Sequence, residues 1–320
     1  MSVPYADNIV FNFSLYNNEP DSIPAELYIS RDQAYIDKLE DYYVRLIGAE
    51  FSTAQIPLFI YKDDMTVEIN NAGNISRVVV QFPQLFSTVP KYVVFVQQFL
   101  EGVNQALATA HTNSHAPGNP PLFVYDDGEM KLLVDQSYNP NLQYIGFNDN
   151  LINKFPSFMA TYSFPENMYF MLYKQYGNNL FNSYPGGVNY PVYILRANVT
   201  GYAALQEFFN VLVTCSSVPI NKQQLNNLSI NTSTLGILDV IPLGFDDVTK
   251  SIVKSYFQQT PQYIDILSRG KLSEIDFKFY LLDENYRIIP LFLPPKTTAT
   301  VRFEFVNKKI VKNYYPDIKI

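Results

Sequence analysis

Apolar and polar residues alternate with a period of two over much of this chain, the pattern of strands that bury one face. In "NIVFNFSLY" (8–16), Phe11, Phe13 and Leu15 alternate with Val10, Asn12 and Ser14. In "SEIDFKFYLLDENYRIIPLFLPP" (273–295), Ile275, Phe277, Phe279 and Leu281 point one way while Asp276, Lys278 and Tyr280 point the other. A polar turn follows, and then "TATVRFEFV" sets Val301, Phe303 and Phe305 against Arg302 and Glu304. The apolar run 42–62, broken at Gly48 and Pro57, fits strands joined by a bend. "MTVEIN" and "SRVVVQF", separated by "NNAG", predict a hairpin, and "PLFVYDDGEMKLLVD" predicts another around Asp126-Asp127-Gly128. A helix is expected over about 96–110, where Val96, Phe99, Leu100, Val103, Leu107 and Ala110 fall on one face. Further on, "PVYILRANV" and "NVLVTCSSVPI" read as strands, with an amphipathic turn at Leu205, Phe208 and Phe209, while 246–259 fits helix or strand equally.

The fold class is therefore mainly β, an antiparallel jelly-roll sandwich with one amphipathic helix and long loops. "FSTAQIPLFI" (51–60) resembles "TCSSVPI" (214–220), so two packed sandwich halves stay open beside a single one. Residues 1–320 are read as one β-rich unit, with a subdomain boundary within the Asn-, Pro- and Tyr-rich stretch 160–190 and a C-terminal arm over 308–320.

Composition narrows the function. The 320 residues carry a net charge of −7, which argues against the basic footprint of a nucleic-acid-binding protein. The single cysteine, Cys215, excludes an intrachain disulfide, and in a strand it reads as a small buried hydrophobe. No run of 18 apolar residues could span a membrane, and the N-terminus lacks the basic and apolar regions of a secretory signal. Synthesis inside a cell is expected. Five glycosylation sequons occur in this Asn-rich chain and are read as chance.

Candidate chemistry is sparse. His111 and His115 are spaced for one helix face, but no zincin glutamate accompanies them and Pro117 ends the helix, so a solvated helix end is expected. The pairs Asp63-Asp64, Asp126-Asp127 and Asp246-Asp247 suit turns better than a glycosidase cleft, since neighbouring aspartates diverge in direction. "YPGGVNYP" lacks the lysine of a phosphate-binding loop. No catalytic set, metal site or cofactor is expected, and the protein is read as a non-enzyme. The 25 Tyr and 24 Phe, without Trp, suit half-buried sheets and interfaces. The tail "NKKIVKNYYPDIKI" combines lysines with aromatic and aliphatic residues past the last strand. Lys309, Lys312, Tyr314, Tyr315, Ile318 and Ile320 are accordingly the candidate interface residues, an arm that docks on a neighbouring subunit. The N-terminal segment is a second candidate arm.

The stretch "DYYVRLIGAEFSTAQIPLFI" resembles a region of the minor capsid, or penton, proteins of virophage-, Polinton- and adintovirus-type DNA viruses of the double-jelly-roll lineage. The order that follows is similar too: "FLEGVNQAL", "PLFVYDDGEMKLL", "YIGFNDNLINKF", and the closing "LSEIDFKFYLLDENYRIIPLFLPPKTTATVRFEF". The resemblance covers most of 8–160 and 209–306 as pattern. It implies a structural role at the vertices of an icosahedral capsid, as a homopentamer partnered by a major capsid protein, located in the virion. The alternative reading is a β-sandwich attachment module that binds a host glycan or protein through the 137–190 loops.

Overall fold

The computed structural model describes residues 8–54, 56–61, 64–82, 92–93, 95–126, 129–139, 141–155, 158, 160–163, 168–171, 178–181, 190–196, 205–227, 233–244, 253–259 and 262–314. By contact the chain divides into two units, Met1–Ile56 with Glu207–Ile320, and Pro57–Gln206. The breaks thus fall at 56/57 and 206/207 rather than within 160–190, whose described residues belong to the second unit.

The first unit opens with β1 (Asn8–Tyr16), β2 (Glu26–Ser30) and β3 (Tyr42–Ser52). The chain then builds the second unit from β4 (Thr66–Asn71), β5 (Asn74–Val79), α1 (Val96–Ser114), β6 (Leu122–Asp126), β7 (Glu129–Asp135) and β8 (Gln143–Asn148). Four more strands complete it: β9 (Ala160–Ser163), β10 (Met168–Met171), β11 (Asn178–Phe181) and β12 (Tyr190–Arg196). Back in the first unit come β13 (Phe208–Thr214), β14 (Lys222–Asn227), β15 (Ser233–Pro242) and β16 (Val253–Phe257). It closes with β17 (Glu274–Asp283), β18 (Arg287–Pro290), β19 (Thr298–Asn307) and the helix α2 (Lys308–Tyr314).

In the first unit one antiparallel sheet runs β1-β19-β3-β16 and the facing sheet runs β2-β17-β13-β15. Setting aside β14 and β18, these are the first, eighth, third and sixth strands against the second, seventh, fourth and fifth. That order is the jelly roll, two Greek keys folded into a sandwich. β14 and β18 pair in parallel and link β15 back to β17, closing a ring with β13 around Leu212, Leu282 and Ile288. The similar segments 51–60 and 214–220 lie at the ends of β3 and β13, the third and fourth strands of one jelly roll. They do not mark two halves: the first straddles the start of the second unit and the other follows β13 in the first.

The alternation explains the sandwich core. Phe11 and Phe13 of β1 pack on Phe303 at 5.9 and 5.5 Å, and Phe13–Phe277 (6.3 Å) and Phe51–Phe279 (5.5 Å) join the two sheets. Phe208 and Phe209 open β13 as alternating buried and exposed strand residues, where the sequence suggested an amphipathic turn; pairing with β17 overrides the local pattern. The ambiguous 246–259 contains the strand β16, whose paired partner β3 settles its state.

In the second unit the sheets are β11-β12-β7-β6 and β9-β10-β8-β4-β5. The β4–β5 hairpin turns through Ala72 (φ 51°) and Gly73 (φ 92°), the left-handed pair that a two-residue type I′ turn requires. α1 extends to Ser114, past the expected end at 110. Side-chain amides of Asn71 and Asn74 donate to the Ser114 carbonyl at 3.1 and 2.9 Å, satisfying a helix-end acceptor from a remote hairpin. The core is a stack of phenylalanines, with Phe123–Phe155 at 4.3 Å and Phe99–Phe155 at 5.1 Å.

Asp135 pins the loop after α1. Its carboxylate accepts the backbone and side-chain N–H of Asn119 (3.0 and 2.8 Å) and the N–H and hydroxyl of Ser137 (2.9 and 2.8 Å). Gly118 makes this approach possible: its φ is +73°, and an added Cβ would lie 1.9 Å from the Ser137 hydroxyl and 2.7 Å from the Asp135 carboxyl carbon. Gly118→Ala combines left-handed strain with overpacking and is expected to cost about 2–4 kcal/mol. Thermal unfolding of the variant measures it; an unchanged midpoint would show that the loop does not depend on this approach.

Candidate assembly surface

Of the residues singled out for chemistry, those described take structural places. The His111 ring lies against Tyr138, with Nδ1 2.7 Å from the tyrosine hydroxyl, and burial lowers its pKa against the opposing pull of the Gly118 backbone and Asp135. His115 leaves the helix in the left-handed region (φ 54°). Among the described residues no cluster of three or more His, Cys, Asp or Glu could hold a metal. Cys215 is buried; desolvation first, and then the charge of Asp276, push its thiol up to about 11, so at neutral pH it is protonated and a poor nucleophile. Asp64 is an exposed turn residue that accepts from the Asn150 side-chain amide at 2.6 Å. Asp63, Asp127, Asp246, Asp247 and most of "YPGGVNYP" lie outside the described residues.

The jelly roll instead presents two unlike flanks on its first sheet. On one side is the outer edge of β1, nine residues with no charge, proline or glycine, and among the described residues no strand pairs with it. An edge without such guards is a template for another strand. Beside it opens a cleft of about 710 Å³, with Ile9, Phe11, Ala34 and Tyr35 as its apolar lining and Arg31 and Asp32 among its polar residues. The Arg31 guanidinium sits 4.7 Å from the Tyr35 ring centre, and Tyr35 meets Phe11 edge-on at 5.3 Å.

On the opposite side lies β16, where Val253 and Phe257 are each 64% exposed. Tyr256 ties this strand to β15, donating to Asp239 at 3.0 Å; burial and the Asp239 charge push its pKa up to about 12. A two-residue strand, Ile264–Asp265, also pairs with β3 on this side.

The candidate arm starts here, and its first half is not free. Residues 308–314 form α2, with Val311 buried against Tyr43, Val306 and Tyr263. Lys308 reaches Asp265 at 2.5 Å and lies 5.1 Å from the Tyr43 ring centre, while the Asn307 side chain accepts the Lys309 N–H at 2.9 Å. Asn307 before an apolar pair is the sequence signal for this helix. Lys309 and Lys312 are exposed on it. The backbone of Tyr314 ends the helix, and Tyr315, Ile318 and Ile320 lie outside the described residues. Sequence reasoning missed the β1 cleft, because its lining comes from two separated segments.

The chain is thus a jelly-roll protein carrying a second β unit between its third and fourth strands. Among solved structures it is similar to a chain of the Sputnik virophage, determined by cryo-EM at 3.5 Å, with a TM-score of 0.72 and 20% identity over 96% of this chain and 99% of that one. It is similar also to the mavirus penton protein, with a TM-score of 0.68 and 17% identity over 94% and 99%. No protein-family model and no curated protein sequence matches the chain. The fold is shared with these virophage chains along nearly their whole length, inserted unit included.

Proposed function

We propose that this protein is a structural component of an icosahedral viral capsid, a penton or minor capsid protein that assembles with itself, as a homopentamer, and with a major capsid protein in the virion shell. The observation that carries this reading is the near end-to-end match of both units to the mavirus penton protein. A jelly roll alone would be a weak argument, since the fold hosts many functions. The role is read as structural: Asp135 braces a loop, and the exposed Val10, Val253 and Phe257 lie on the edge strands β1 and β16. No helix among the described residues is long and apolar enough to cross a membrane. Native mass spectrometry of the purified chain, alone and with its co-encoded major capsid protein, tests the reading. A pentamer or a defined complex with the shell protein is expected; a monomer under both conditions would overturn it.

A further inference from the structure

We propose that the edge of β1 left unpaired among the described residues, with its adjoining cleft, is the acceptor for residues 315–320 of a second copy of this chain, which add to the sheet as a short strand. The proposal rests on the capsid reading and names the contact that would close the ring. An unpaired strand edge is a row of backbone donors and acceptors, and its natural partner is another extended segment. In strand addition the main chain supplies hydrogen bonds, and pockets beside the edge select alternate side chains.

The cleft has that place: it is lined by the inward-facing Ile9 and Phe11 of β1 and by residues 30–35. The sequence "DIKI" (317–320) offers Ile318 and Ile320 on one side and Asp317 and Lys319 on the other. The isoleucines suit Ile9, Phe11 and Tyr35, and the two charges would then face outward, beside Val10 on the other face of the sheet. The N-terminal residues of the same chain run directly into β1 and would need a turn to come back along it.

The occupant is a second copy because of where α2 sits. Its contacts with Tyr43, Tyr263 and Asp265 carry it over β3 and the Ile264–Asp265 strand, towards the flank opposite β1. Six residues reach at most about 20 Å; crossing the width of its own sheet to the outer edge of β1 takes about 10–15 Å of that and leaves too few residues to pair along the edge. A segment that starts at one flank and is received at the other makes a head-to-tail contact, the type that closes into rings.

Thiol crosslinking tests this in the full chain, because buried Cys215 is the only native cysteine. Chains carrying Asn8→Cys, Val10→Cys or Asn12→Cys on β1 are each mixed with chains carrying Lys319→Cys and exposed to a short bis-thiol crosslinker. Dimers that form only in the mixtures are expected, with a ladder of higher species when both changes are in one chain. Four results would overturn the proposal: a crosslink within one chain, a β1-to-β1 dimer from a single variant, a Lys319→Cys dimer alone, or no crosslink. A truncation after Tyr314 keeps α2 and should stay folded while self-association weakens at least about tenfold. Intact pentamers of the truncated chain would sink the tail contact but leave the capsid role standing. A full-length chain that neither self-associates nor binds the shell protein would sink both.

Discussion

Phe303→Ala is expected to be the most destabilising single truncation in the jelly roll, at about 3–5 kcal/mol. Phe303 is fully buried on β19, the strand that lies between β1 and β3. Its ring contacts Phe11, Phe13 and Phe305 with centroids 5.9, 5.5 and 6.2 Å away, so its removal opens a void lined by rings that are themselves held by strand pairing. Such a site relaxes little, and the cavity adds to the lost transfer energy. Phe13 also bridges to Phe277 on the facing sheet at 6.3 Å, so the loss would loosen the contact between the sheets as well. Calorimetry should show a transition lowered by roughly 6–20 °C if this unit unfolds as a domain of 150–250 residues. The edge position Val10→Ala is the control, since its side chain is 43% exposed and little should change. Equal effects at the two positions would mean that the aromatic cluster does not hold the sandwich together.

The strands themselves were legible because each half-buried strand repeats its burial in its own sequence. β1 follows the alternation residue by residue, β17 and β19 follow it over part of their length, and the "NNAG" turn declares the β4–β5 hairpin. What periodicity cannot carry is pairing over long distance. β1 pairs with β19, close to the other end of the chain, and no local pattern states that register. The unit boundaries at 56/57 and 206/207 were hidden for the same reason, since contacts along the whole chain, not local composition, define them. Composition pointed to 160–190, whose described residues are strands within the second unit. Of the assembly surface, the lysine-rich tail was visible as an unusual composition, but its anchoring through Val311 and Lys308 needed the fold. The β1 cleft needed it too.

Asp276→Ala is expected to cost about 3 kcal/mol, almost as much as a core aromatic, although its place in the alternation marks Asp276 as outward-facing. The residue is buried because the loop after β13 folds over it. Its carboxylate accepts the Ser216 N–H at 2.8 Å, the Ser216 hydroxyl at 2.7 Å and the Ser217 N–H at 2.7 Å, and the Ser217 hydroxyl accepts the Asp276 N–H at 3.0 Å. Alanine leaves two backbone donors without their acceptor in a partly buried site beside an open cleft, and each such loss costs about 1–3 kcal/mol. Burial alone would raise the carboxyl pKa, but the hydrogen bonds from Ser216 and Ser217 outweigh it and hold the group below its ordinary value. The sign of the pH dependence follows. A folded pKa depressed below the unfolded one gives stability that is complete above the unfolded value, near about 4. That stability is lost as the pH falls through the folded value. Asp135, whose pKa the bonds from Ser137 and Asn119 lower in the same way despite burial, adds to the same acid slope. Denaturant midpoints taken from pH 7 down to pH 2 should therefore fall below about pH 4 in the parent and fall less steeply in Asp276→Asn, which cannot ionise. Parallel curves for the two proteins would show that the charge of Asp276, as distinct from its shape, contributes nothing to holding the loop.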